Sequence, residues 1–470
     1  MHAAPGGVAA GGGHTSRPAF TRGPGEACDG EVVRFLVEGA GRGPREALTL
    51  VTVPAPVAPL PALWGEDGAP AVVWAQPGGR ELAGVGEALA VTASGEQRFA
   101  RVGAAAATLN ACLAVRHPDA PPVAPALLGG FAFAAEGSRG AWRPFGAATF
   151  VLPRWTYERH RDGRATLTLA LAPAEFPRPE ALAAEARAVL DRLRRPVPAG
   201  YLGRVRVRSI PARRWRAMVE EALAAIAAGS LRKVVLARPF QVEAAATLPV
   251  TNFLWRLCAG NGGGHRFAFR LSGTTFLGSS PELLVARRGR EVASEALAGS
   301  AANGEALAAF AEDPKQRAEH DIVVEAIRGE LEPLCDTLAV AARPSVREYG
   351  ELVHLHTPIS GRLRGEVPVT ELARRLHPTP AVGGTPSSAA LAWIGRHEPV
   401  ARGWYAGPVG VVEPSGDGAF AVALRGALVR GRRARLWAGA GIVAGSTPEG
   451  EFLETGMKAR AALAVLGLGA

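Results

Sequence analysis

The spacing of apolar and polar positions changes character along this chain. From residue 31 to about residue 196, short strand-like runs alternate with Pro- and Gly-rich punctuation. "EVVRFLVEG" (31–39), "LLGGFAFAAEG" and "GAATFVLPRWTYER" are such runs; "VTVPAPVAPLPALW" and "HPDAPPVAP" are such punctuation. Helical spacing interrupts them near 98–116 and 178–194. Beyond residue 205 the signals are denser. In "PARRWRAMVEEALAAIAAG", Trp215, Met218, Val219, Ala222, Leu223 and Ile226 share one helical face, and Gly229 offers a C-terminal cap. "LRKVVLARPFQV" follows as a β-branched strand. "RAEHDIVVEAIRGELEPL" (317–334) predicts a helix with Ile322, Val323, Ala326 and Ile327 as its apolar stripe. Residues 407–443 read as an antiparallel meander turning at "SGDG" and "RGRR", and "PEGEFLETGMKARAALAVLG" as a closing helix. No fixed-period repeat is present. Strands and helices in irregular order predict one large α+β (α/β) fold rather than a strict βαβ repeat. The expected organisation is a disordered Gly/Ala-rich tail (1–29), an α+β subregion (30–204) and a motif-rich catalytic region (205–470).

Composition narrows the class. At 470 residues with 48% hydrophobic content, the chain can bury a sizeable core. No run approaches the roughly 18–20 apolar residues that span a bilayer, and the N-terminus lacks the pattern of a secretory signal. Cys28, Cys112, Cys258 and Cys335 are widely spaced, which argues against a zinc site or a disulfide framework and for a cytoplasmic protein. The formal charge of +10 raises the possibility of an Arg-rich RNA-associated protein without catalysis. The basic run at 194–216 is broken by prolines, alternates as "GRVRVRS" and has few stacking aromatics, so it reads as a solvated strand face. No nucleic-acid or membrane partner is expected.

Among 53 basic residues only Lys233, Lys315 and Lys458 are lysine. Arginine stays protonated, whereas a buried lysine can act as a base. Lys233, early in an apolar strand, is therefore either a snorkelling strand-end charge or a base. Glu282, in "FLGSSPELL", is either a strand-start surface carboxylate or a buried general acid. Glu319 lies one turn before the apolar stripe of its helix, so its carboxylate is expected to face inward, toward a cation. Glu451, Glu454 and Lys458 share a helix face, either as a surface pair Glu454–Lys458 or as part of a site in which Glu319 and Glu454 share Mg2+. His354, His356 and His377 lack HExxH spacing. "AGAGIV" (438–443) is not a Walker loop and reads as a strand closely approached by a ligand. There is no GxSxG.

Taken together, "KVVLAR", "GSSPELL", "EALAGS", "DPKQRAEHDIVVE", "HLHTPISG", "LHPTPAVGG", "YAGPVG", "VALRGA", "AGAGIV" and "ETGMK" resemble the chorismate-utilising enzymes, in family order across roughly 205–468; "GGFAF" is the best match upstream. The resemblance implies a chorismate-binding fold with antiparallel sheets in the core and helices outside, a monomer, and chorismate as substrate. It implies Lys233 as the base that activates water for attack at C2, and Glu282 as the acid that protonates the departing C4 hydroxyl. Glu319 and Glu454 match Mg2+ ligands, with Glu451 supporting the metal through water. His354, Arg425, Gly441 and Lys458 match substrate contacts, and Gly299 and Ser300 a backbone contact loop.

Residue types within the motifs point to a branch of that family. Anthranilate-type members, which use ammonia and need not deprotonate water, carry glutamine where this chain has Lys233, and the aminodeoxychorismate type carries a nucleophilic lysine where it has Ala298. Salicylate-forming members share the lysine but eliminate pyruvate as well, and tend to be polar where Ala381 and Val382 stand. The expectation is Mg2+-dependent conversion of chorismate to isochorismate, feeding menaquinone or a catechol siderophore, with salicylate formation as the alternative.

Overall fold

The computed structural model describes residues 29–468, apart from 42–47, 66–67, 117–123, 137–138, 173–174, 176–177, 197–204, 261–262, 305–306 and 351. The expected tail thus lies outside the described residues, save Asp29. Two large sheets build the molecule. The larger, 13-stranded sheet runs Val205–Ser209, Lys233–Ala244, Arg433–Ile442, Gly426–Arg430, Thr274–Ser280, His265–Leu271, Ala71–Ala75, Glu81–Val85, Trp155–Arg159, Ala165–Leu171, Leu48–Pro54 and Leu113–Arg116, with Gly384–Thr385 paired to Lys233–Ala244. The 10-stranded sheet runs Cys335–Val340, Leu352–Leu363, Glu291–Ala302, Leu283–Arg288, Gly418–Val422, Pro408–Val412, Leu127–Phe131, Ala148–Leu152 and Leu89–Ala93, with Ser345–Tyr349 paired to Leu352–Leu363. Among the described residues only Leu48–Pro54 and Leu113–Arg116 pair in parallel. Both sheets interleave strands from before and after residue 205: His265–Leu271 pairs with Ala71–Ala75, and Pro408–Val412 with Leu127–Phe131.

Alternation along each strand assigns its two faces. In the larger sheet Phe276 and Trp437 face a central core that also takes in Phe131, Phe150 and Trp404, while Leu277 and Leu436 face a second core. The helices Asp29–Gly41, Pro179–Arg194, Val250–Ala259 and Pro448–Val465 supply that second core with Leu36, Leu190, Phe253 and Leu463. Trp404 bridges the sheets. Its ring centre lies 5.5 Å from that of Phe269, and a Cβ on Gly130 would lie 2.8 Å from its ring atoms, so only glycine fits there.

Most elements beyond residue 205 form where the spacing placed them, including Ala212–Ala227 with Gly229 at φ +75 behind it. Residues 31–39 do not form a strand: Asp29–Gly41 is a helix burying Val32, Val33, Leu36, Gly39 and Ala40. Those positions fit a helical stripe as well as an apolar run, and packing on the sheet decides. The helix near 98–116 ends at Cys112, and Leu113–Arg116 joins the larger sheet as a strand. In Pro314–Leu331 the buried stripe is His320, Val323, Ile327 and Leu331; Ile322 and Ala326 are only half-buried. The residues 407–443 are not one meander in one sheet. Pro408–Val412 and Gly418–Val422 belong to the smaller sheet, Gly426–Arg430 and Arg433–Ile442 to the larger.

Candidate active site

The sheet switches place chemistry. Thr274–Ser280 lies in the larger sheet and Leu283–Arg288 in the smaller, so Pro281 and Glu282 form a two-residue crossover between them. Arg425 sits in the neighbouring crossover, between Gly418–Val422 and Gly426–Arg430. The crossovers are stitched together: Val422 N–H donates to Glu282 O at 3.1 Å, and Ser279 N–H to Arg425 O at 3.4 Å. Arg425 holds φ +48, a left-handed conformation disfavoured for a side chain of its size.

One cavity opens beside these crossovers. Glu282, Gly299, Ser300, Glu319, His354, Ala381, Val382, Arg425, Gly441 and Lys458 all line it. Lys233, Glu451 and Glu454 stand behind that wall. Lys233 is fully buried, on the same strand face as the cavity-lining Val235 and Ala237. Full burial rules out snorkelling. Its Nζ lies 3.0 Å from Glu319 Oε1, in ion-pair range but without an aligned hydrogen bond. Gly441 makes room for this pair: a Cβ there would lie 2.1 Å from Glu319 Oε1 and 3.1 Å from Lys233 Cε. The chain's own Lys–Glu pair thus packs against Gly441, while Gly439 and Gly441 of "AGAGIV" also line the cavity.

Glu282 is 2% exposed, and its Oε1 has no hydrogen-bond partner. Burial pushes its carboxyl up to about 8; the Glu295 charge adds to this, and Lys233 and Lys458 oppose it. Across the cavity, the strand Glu291–Ala302 bulges between Ala298 and Ala301, where Gly299 takes φ +74. Gly299 O accepts from His354 Nδ1 at 2.9 Å, and Ser300 Oγ lies 3.1 Å from the same nitrogen. Arg425 Nη2 donates to His354 Nε2 at 2.6 Å, which assigns the proton of a neutral ring to Nδ1. Burial holds His354 neutral, well below the usual histidine range, and the Arg425 and Lys458 charges act in the same direction.

Three carboxylates gather at the other end, each with one of the three lysines. Lys233 pairs with Glu319 at 3.0 Å, Lys315 with Glu451 at 2.8 Å and Lys458 with Glu454 at 2.6 Å. Burial raises the Glu454 carboxyl, with Glu451 and Glu319 adding repulsion and Lys458 opposing. Burial works against charge on Lys315, yet Glu451, Glu454 and Glu319 together hold its ammonium above the usual range. Glu451 is 1% exposed and its Oε2 has no partner. Among the described residues no group of three or more His, Cys, Asp or Glu is arranged to hold a metal alone. The crowded hard-oxygen donors, one with an orphan buried oxygen, do fit Mg2+ completed by water and a ligand carboxylate.

Several contributors escaped the sequence reading. Lys315 neutralises Glu451; Gln316 Oε1 accepts from Ser300 N–H at 3.3 Å. Arg402 lines the cavity and donates to Val382 O at 2.7 Å and Val235 O at 2.8 Å, tying two walls together. Tyr405 lines the cavity too, its ring stacked 5.5 Å from Trp437. The rarity of lysine was a signal for Lys315, and Gln316 and Tyr405 lie within "DPKQRAEHDIVVE" and "YAGPVG"; Arg402 lies in none of the motifs. The His377 ring packs against Phe99 and Phe133, with centres 6.1 and 5.8 Å away, and its Nε2 lies 3.1 Å from Phe133 O. Among the described residues no helix is long and apolar enough to cross a membrane.

The fold and the cavity define an enzyme built around a buried carboxyl, a buried lysine and an acidic cluster. Residues 46–467 match the family model described as chorismate binding enzyme. The chain is 38% identical over 425 residues to the "Salicylate biosynthesis isochorismate synthase" of Pseudomonas aeruginosa, covering 86% of this chain and 87% of that protein. It is 39% identical over 265 residues to isochorismate synthase DhbC of Bacillus subtilis, covering 53% of this chain and 67% of that protein. The solved structure of MenF, the menaquinone-specific isochorismate synthase from Escherichia coli, superposes with a TM-score of 0.76 at 28% identity, covering 93% of this chain and 99% of that one. This protein belongs to the chorismate-binding enzyme family.

Proposed function

We propose that the protein is a Mg2+-dependent isochorismate synthase, adding water at C2 of chorismate and releasing the C4 hydroxyl. One observation carries this reading: a carboxyl on the cavity wall that burial keeps protonated to about pH 8, with a fully buried lysine just behind the same wall, beside the lining Glu319. In this reading Lys233 Nζ takes the proton of the attacking water, and Glu282 gives its proton to the departing C4 oxygen as the ring double bonds shift. Arg425 and Lys458 anchor the carboxylates of a doubly anionic substrate, with His354 and the Gly299–Ser300 bulge shaping the wall. Glu319 and Glu454 would hold Mg2+, with Glu451 behind them. When bound, the metal supplies positive charge against the ring carboxylate. Relatives named isochorismate synthases support the reaction, and apolar Ala381 and Val382 on the cavity wall support a product that keeps its enolpyruvyl group. The Pseudomonas relative's name adds salicylate biosynthesis to the routes this product could feed, beside menaquinone and catechol siderophores.

Purified protein incubated with chorismate and Mg2+ should yield isochorismate on chromatography. Salicylate and pyruvate appearing without a second enzyme would replace this reading with the lyase one.

A further inference from the structure

Glu282 and its neighbour Glu295 are two buried carboxyl groups in opposite circumstances. Glu282 Oε1 has no partner. Glu295, on Glu291–Ala302, is surrounded by donors from three other strands: Leu283 N–H reaches its Oε1 at 2.7 Å, His356 Nε2 its Oε2 at 2.9 Å, and Arg347 Nη1 its Oε2 at 3.0 Å. Leu283 directly follows Glu282, so the Glu295 carboxylate grips the backbone that aims Glu282. We infer that Glu295 is the positioning residue of this site, an anchored anion that orients Glu282 and keeps its proton in place. This rests on the proposed role of Glu282 as general acid.

The electrostatics run the same way. Burial opposes charge on Glu295, but His356, the Leu283 N–H and Arg347 outweigh it and hold that carboxyl below its usual range. Burial is the main cause that raises Glu282, and Glu295 is the next. Two carboxyls pushed apart in this way divide into a permanent anion and a proton donor. The other charges facing Glu282 are Lys233 from its strand and Lys458 from the terminal helix, both favouring ionisation. The Tyr349 and Tyr405 phenols are raised by burial and carry no charge near neutrality. Glu295 also faces His265, which burial keeps neutral. Glu295 is therefore the neighbouring anion that opposes the pull of the two lysines on the Glu282 proton.

Glu295→Gln isolates the charge, because its amide oxygen can still accept from Leu283 N–H. The titration of Glu282 is read by carboxyl 13C NMR on the full-length, substrate-free protein, and chorismate turnover is followed against pH in parallel. In Glu295→Gln the Glu282 titration should fall by about one pH unit or more, and the alkaline limb of turnover should move down with it. Arg347→Gln, at a half-exposed position outside the core, removes a cation instead, so the Glu282 titration should rise. A merely structural defect would move both variants the same way. An unmoved Glu282 titration in Glu295→Gln, or a fall in Arg347→Gln, overturns the inference. A protein that never turns over chorismate would sink the proposed reaction, while the NMR arm still tests Glu295 against Glu282.

Discussion

Lys315 Nζ sits 2.8 Å from Glu451 Oε1, a carboxylate that is only 1% exposed. The pair joins the start of the helix Pro314–Leu331 to the start of Pro448–Val465. It also completes a pattern in which every lysine of the chain lies in ion-pair range of one acid of the Glu319, Glu451 and Glu454 cluster.

Removing Lys315 leaves Glu451 buried and uncompensated. Lys315→Met should lower stability by about 1–3 kcal/mol in urea unfolding without divalent metal, discounted for the partial exposure of the lysine. If Mg2+ binds this cluster, adding it should recover part of the loss. A variant as stable as wild type in metal-free buffer would remove the pair's structural weight.

Lys233→Arg should cut chorismate turnover at least about 100-fold, since guanidinium does not give up its proton. Lys233 is fully buried, so the larger head also strains its surroundings by about 1–3 kcal/mol. Lys233→Met removes the base with less crowding. Circular dichroism confirms folding, and near-wild-type turnover in either variant would refute the base role.

As the proposed general acid, Glu282 would act only while protonated, and burial raises its carboxyl to about 8. Turnover should therefore fall as pH rises through about 8. The same raised value makes folding less favourable as pH climbs from the unfolded carboxyl range toward 8, because the unfolded chain has already released that proton. Glu282→Gln should lose turnover while flattening this alkaline loss of stability, measured by thermal unfolding across pH.

Gly441→Ala would set a methyl 2.1 Å from Glu319 Oε1. The strand and its ladder to Lys233–Ala244 stay intact, so the fold should survive while turnover drops sharply. Wild-type kinetics would mean that the Glu319 carboxylate can swing away without consequence.

Glu319→Gln should weaken the response to Mg2+ or abolish turnover, and an unchanged Mg2+ titration would count against Glu319 as a ligand. Chelation of wild-type enzyme by EDTA should stop turnover and be reversed by added Mg2+.

The chain itself carried much of this. Helical and two-residue periodicities are local properties, so Ala212–Ala227, Lys233–Ala244 and Pro448–Val465 were legible. So was Lys233, because a chain that writes arginine by default makes a buried lysine informative. Tertiary structure decided the rest. Residues 31–39 became a helix because a sheet face was there to pack on. Residues 407–443 divided between two sheets because strand pairing partners lie far away in sequence. Neither Glu282 nor Arg425 shows in its own segment that it occupies a sheet-to-sheet crossover. Burial, a like charge from Glu295 and a lysine for each acid are long-range terms that no window of sequence contains. Residue chemistry was set by the sequence; the protonation each residue favours was set by its neighbours in space.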